Sequence, residues 1–175
     1  TTTTTVPRTP TPSEPTPAPP PPNVGSRQPL GPGGSWNLKF ADEFDGSSLD
    51  LSKWRPNWLA GSDTARTPPV NSAELSCYDP AQVRVSGGRL HLRADRLSSP
   101  RPGCVLRNGS SASYASGLVQ TNSDYRFTYG YVEARMFLPG SSAHPENWPA
   151  FWTNGQTWPR DGEIDVMEVL GGEPR

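Results

Sequence analysis

Histidine is nearly absent from this chain: two of 175 residues, His91 and His144, leave a His-based metal centre or nucleophile little to build on. Cysteine is as sparse. Cys77 and Cys104 allow one pairing, whose closure would add roughly 3 kcal/mol in an oxidising compartment, and two buried free thiols are the alternative. No run approaches the roughly 18 consecutive apolar residues of a membrane span, so no membrane partner is expected. No segment carries a convincing helical period, which points to an all-β domain. The net charge is −1 with no basic stripe, which argues against a nucleic-acid partner.

Proline is what the chain has in excess. Residues 1–34 hold eleven of the 22 prolines and a run of five threonines, with almost no large apolar side chains. Such a segment cannot bury enough surface to offset chain entropy and reads as an extended Thr/Pro-rich linker. The domain is therefore drawn over 35–175, and the low hydrophobic content of 32% is a local deficit of the linker. The chain opens on Thr1 without an apolar signal core. A signal peptide and a further module are expected upstream, with a simple disordered tail as the competing reading.

The stretch from Trp148 to Gly171 carries the chemistry. Three carboxylates, Glu163, Asp165 and Glu168, fall within six residues of β-prone sequence directly after Trp148, Trp152 and Trp158. Period-two alternation sets Glu163 and Asp165 on one face, with Ile164 and Val166 on the other. Glu168 has the wrong parity and would enter the core face, where an unpaired carboxylate is very costly. One extra residue, most simply Met167 in a β-bulge, restores the phase. Glu163 and Glu168 then stand about 13 Å apart along the backbone, at roughly 3.3 Å per residue. Side chains leaning together could approach the about 5–5.5 Å separation used by retaining glycosidases. An exposed polar face or a calcium site are the competing readings of such a pattern taken alone.

The surrounding residues resemble glycoside hydrolase family 16, the laminarinase-like β-glucanases. The resemblance is carried by Trp-Pro-Ala-Phe-Trp at 148–152, Trp158-Pro159 and Gly-Glu-Ile-Asp-Val-Met-Glu at 162–168. Upstream, Phe-Ala-Asp-Glu-Phe-Asp-Gly at 40–46, Asn-Ser-Ala-Glu-Leu-Ser-Cys-Tyr at 71–78 and Tyr-Gly-Tyr-Val-Glu-Ala-Arg at 129–135 follow in the family's order. It implies a jelly-roll β-sandwich, concanavalin A-like, with Glu163 as nucleophile, Asp165 as its assistant and Glu168 as general acid/base. The longer form of the acid motif is that of laminarinases and agarases; lichenases carry one a residue shorter. The family's sandwich has strands after this motif, so the chain is expected to lack its C-terminal part.

Further expectations follow along the chain. Trp36–Phe40 alternates like a first strand. Glu43 and the carbonyl of Gly88 are implied by the resemblance as ligands of a structural calcium, with ordinary surface acids as the competing reading. Residues 47–70 read as a loop around Trp54 and Trp58. Asn71, Glu74 and Tyr78 are implied as cleft residues. Residues 82–93 read as a hairpin about Gly87-Gly88, with Val83, Val85, Leu90 and Leu92 inward and His91 outward. Residues 95–114 read as a polar loop and 115–121 as a short strand. Over 129–138, Val132, Ala134, Met136 and Leu138 share one face; Tyr129, Tyr131, Glu133, Arg135 and Phe137 share the other, which suits a sugar cleft better than a core. Glu133 and Arg135 would fix hydroxyls or the acids, a surface ion pair being the alternative. Trp148, Trp152 and Trp158 offer flat faces for pyranose rings. The reading is a secreted, monomeric, retaining endo-glycosidase acting on a β-1,3-glucan, with no cofactor required and that calcium an optional structural addition. Mixed-linkage glucan, a galactan such as agarose, or a non-catalytic carbohydrate-binding jelly roll are the alternatives.

Overall fold

The computed structural model describes residues 28–121, 125–140 and 147–171. Compactness divides the chain at Lys39/Phe40. In the first unit, the Gln28 side-chain amide brackets Trp36, accepting from its backbone N–H at 2.8 Å and donating to its carbonyl at 3.1 Å. The amide thus takes the place of a neighbouring strand, and the expected first strand at Trp36–Phe40 is not assembled into a ladder.

The second unit is all-β, in keeping with a jelly-roll sandwich. Its strands are β1 Ser76–Tyr78, β2 Val83–Val85, β3 Leu90–Leu92, β4 Ala94–Arg96, β5 Tyr114–Ser116, β6 Ala150–Asn154 and β7 Glu163–Glu168. The described helical content is a single 3-10 turn, Pro80–Gln82. Sheets run in the order β1-β5-β4, β2-β3 and β6-β7. Among the described residues none is long and apolar enough, as a helix, to cross a membrane.

The first sheet is built on the disulfide between Cys77 and Cys104, whose Cα atoms lie 5.2 Å apart. Both halves are buried with Ala112 and Ala115, and Leu97 and Leu106 pack against them. Small residues let β1 run parallel to β5 in the register Cys77↔Ala115, while β4 pairs antiparallel on the other side. β4 runs into the stretch 95–114 expected to be loop, because β5 offers it an edge that no local pattern announces.

Asp79 fastens the end of this sheet. Its carboxylate, 1% exposed, accepts from Arg66 Nε at 2.7 Å, from an Arg101 guanidinium nitrogen at 2.6 Å and from the Ala81 backbone N–H at 3.0 Å. Burial raises its pKa, but these bonds to Arg66 and Arg101 outweigh it and hold the carboxyl below its ordinary value.

The β2–β3 hairpin pairs Val83↔Leu92 and Val85↔Leu90. Gly87 and Gly88 take φ of +60° and +69°, the two consecutive left-handed positions of a two-residue turn, closed by reciprocal Ser86–Arg89 backbone bonds. Val85 is buried as expected, whereas Leu92 is exposed. His91 bonds the Ser86 hydroxyl at its own hairpin's end. Residues 129–139 lie outside the seven strands. Their alternating pattern specifies a strand only if a partner edge lies alongside, and among the described residues none is paired to it.

Candidate active site

The acids lie on β7, which pairs antiparallel with β6. The register runs Asn154↔Glu163, Thr153↔Ile164 and Trp152↔Asp165, then shifts to Phe151↔Met167 and Ala150↔Glu168. The ladder therefore skips Val166, not Met167 as expected. The reason is packing: Met167 is half-buried opposite Phe151, and the bulge falls on the more dispensable Val166, which is exposed. The phase is restored either way. Glu163, Asp165 and Glu168 share one face with Asn154, Trp152 and Ala150.

The opposite face does not match its expected role. Ile164 and Val166 are 70% and 47% exposed, since no second sheet covers them among the described residues.

Indole N–H groups address both terminal acids. Trp148 Nε1 donates to Glu168 Oε1 at 3.0 Å, and Trp158 Nε1 donates to Glu163 Oε2. Trp158 is carried by the turn joining the two strands. That turn is closed by Thr157 N–H to Asp161 Oδ2 at 3.0 Å and by Gly155 N–H to the Gly162 carbonyl at 2.9 Å. Gly155 is obligatory there, because a Cβ would sit 2.4 Å from that of Asp161. All three carboxylates are solvent-accessible. The result is a row of acids with oriented donors at both ends and aromatic faces between them.

A fourth tryptophan, missed as a site residue in the sequence, joins them. Trp58 stacks on Trp152 with ring centroids 5.4 Å apart and meets Trp158 edge-on at 6.0 Å. No short-range pattern marks it, because the contact is made across the fold. Trp54, its neighbour in the loop, serves elsewhere. It donates to Asp42 Oδ2 at 2.9 Å and packs between Phe40 and Phe44.

Asn71 and Glu74 form their own turn. The Asn71 backbone N–H donates to Glu74 Oε1 at 2.8 Å, and the Tyr78 hydroxyl donates to both Glu74 oxygens at 3.0 and 2.8 Å. Burial raises the Glu74 pKa against these bonds and the charge of Arg107. Burial, together with that carboxylate, pushes the Tyr78 hydroxyl far up. Glu133 and Arg135 lie on the irregular 129–139 segment.

Glu43 and Gly88 do not by themselves make a cation site. The hairpin turn does approach the 42–46 loop, since a Cβ on Gly88 would lie 3.8 Å from Asp45 Oδ1. Yet among the described residues no three His, Cys, Asp or Glu side chains gather as metal ligands, whereas calcium takes about 6–8 oxygens.

The profile of the family described as "Beta-glucan synthesis-associated protein SKN1/KRE6/Sbg1" matches residues 18–164, which is most of the chain. The chain belongs to that family. This SKN1/KRE6/Sbg1 member is 35% identical over 148 residues to a glucan endo-1,3-beta-glucosidase A1 of Niallia circulans, covering 79% of this chain and 20% of the relative. It is 33% identical over 150 residues to a beta-glucanase of Rhodothermus marinus, covering 79% and 46%. A solved structure described under endo-acting O-glycanases of the human gut microbiota matches with a TM-score of 0.48 at 28% identity, covering 73% of this chain and 46% of its own. The chain thus spans less than half the length of the relatives it matches.

Proposed function

We propose that this chain carries the acid pair of a secreted, retaining glycoside hydrolase of family 16 that cleaves β-1,3-glucan. The observation that carries the reading is the in-phase row Glu163–Asp165–Glu168, with an indole N–H on each glutamate. Names of relatives at 33–35% identity support the substrate class. The buried disulfide suits an oxidising compartment.

In this mechanism Glu163 attacks the anomeric carbon while Glu168 protonates the departing oxygen, and Asp165 steers the charge of its neighbour. Glu168, now deprotonated, takes a proton from water as that water displaces Glu163 from the sugar. The Trp158 and Trp148 N–H groups hold the two carboxylates in orientation. Trp148 and Trp152 offer ring faces to pyranose C–H surfaces. Asn71 and Glu74 are assigned to sugar hydroxyls and Glu133 and Arg135 to hydroxyls or the acids, in a reading that takes 1–34 as linker and 35–175 as the N-terminal portion of the catalytic domain. The test is reducing-end release from laminarin by full-length protein. Glu163→Gln should abolish release while glucan binding persists; retained hydrolysis in that variant would falsify the nucleophile assignment.

The family description favours a second reading, glucan remodelling. There the second displacement is made by a sugar hydroxyl in place of water, so bonds broken and formed are both glycosidic. Lengthening of a labelled laminarin-oligosaccharide acceptor distinguishes it from simple hydrolysis.

A further inference from the structure

Trp58 stands far ahead of the acids in sequence, yet it packs on Trp152 and on Trp158, one of the two indoles that donate to the acids. Its ring stacks on Trp152 with an interplanar angle of 27° and meets Trp158 at 87°, both favourable aromatic geometries. Trp152 is the cross-strand partner of Asp165, and Trp158 donates to Glu163.

The loop bearing Trp58 is clamped from within. Asn57, 1% exposed, donates its side-chain N–H groups to the carbonyls of Ser62 at 2.8 Å and Ala65 at 3.1 Å, and its Oδ1 accepts from Ala60 N–H at 3.3 Å. Its backbone carbonyl accepts from Gln120 Nε2 at 2.6 Å. The Trp58 N–H donates to Thr67 Oγ1 at 3.3 Å, and Thr67 is bridged to Tyr78 of β1. Leu59 follows at a φ of +52°, in the left-handed region that a leucine rarely adopts. A buried amide with every polar atom satisfied fixes a backbone position well, so the Trp58 ring has a set origin.

We propose that Trp58 is a positioning residue: the loop clamped by Asn57 holds its indole against Trp152 and Trp158 and thereby sets the Trp158 N–H on Glu163. Its consequence for turnover rests on the hydrolase reading above; its packing consequence does not. Trp58 acts through Trp158, so its loss falls on turnover more than on sugar binding.

Two readouts on the full-length protein test this. In laminarin hydrolysis, Trp58→Ala is expected to lower kcat about tenfold with KM changed less than about twofold, and Trp58→Phe to recover most of the loss. A loss confined to KM, or an unchanged kcat, overturns the assignment. Independently of activity, stacked indoles give an exciton couplet in far-ultraviolet circular dichroism. Trp58→Phe and Trp152→Phe should each remove the same couplet while retaining cooperative melting. A couplet that survives Trp58→Phe overturns the proposal. An inactive parent protein would instead refute the hydrolase reading, with the couplet then deciding the Trp58 assignment alone.

Discussion

Two single-residue deletions on β7 should have opposite effects on activity. Val166 is the residue the ladder skips, so deleting it leaves Trp152↔Asp165, Phe151↔Met167 and Ala150↔Glu168 as a regular ladder with all three acids on one face. Deleting Ile164 instead makes Glu163 and Asp165 adjacent, and adjacent strand residues point to opposite faces. Glu163 then leaves the face of Asp165 and Glu168. The direct stability effect is small in both cases. A fully buried Val or Ile side chain is worth about 1.5–3 kcal/mol, and these two are 47% and 70% exposed, so the deletions remove about 1.5 kcal/mol or less of apolar burial at Val166 and about 1 kcal/mol or less at Ile164. Activity should diverge far more. The Val166 deletion is expected to keep hydrolysis within about tenfold, whereas the Ile164 deletion should lose about ten-thousandfold, comparable to removal of a catalytic group. Reducing-end release from laminarin reads the difference, with a thermal melt establishing that both variants fold. A folded Val166 deletion as inactive as the Ile164 deletion would show that phase is not what aligns the acids.

Three other outcomes follow from the geometry. Asp79→Ala leaves two guanidiniums without their carboxylate and should cost about 3 kcal/mol, the low end for a broken buried pair because Arg66 and Arg101 keep about a third of their surface in water. Urea unfolding measures this. Since the folded pKa of Asp79 is depressed, its contribution is present above the unfolded value of about 3.9 and disappears as pH falls through the lower folded value, so the gap between parent and variant should close in acid. Replacing both Cys77 and Cys104 by Ala opens a loop with a sequence separation of 27 and should lower stability by about 3–4 kcal/mol; unfolding with and without reductant should show the parent shifting and the variant not. Trp148→Phe keeps an aromatic ring but removes the N–H on Glu168, and should lower kcat for laminarin about tenfold with little change in KM.

The acid row was legible because strand periodicity is a local property. Alternation alone shows that Glu168 is out of step with Glu163 and Asp165 and that one extra residue must intervene. The all-β character and the Gly87-Gly88 hairpin were readable on the same ground. Which residue bulges was not, since that depends on Met167 finding Phe151 across the ladder. The strand expectation at 129–138 fared differently, because an alternating pattern states a preference and a partner edge supplies the hydrogen bonds.

By itself, then, the sequence determined the spacing of the carboxylates, the pairing open to two cysteines and the two glycines of a tight turn, all set within a few residues by backbone sterics and side-chain period. Tertiary structure alone decided that Trp58 joins Trp152 and Trp158, that Asp79 gathers Arg66 and Arg101, and that Glu74 answers Tyr78 within its own turn. The tryptophan and Asp79 contacts arise where distant segments are brought together to bury aromatic surface or satisfy a buried charge, the Glu74–Tyr78 bond spans only four residues, and neither requirement leaves a periodic trace along the chain.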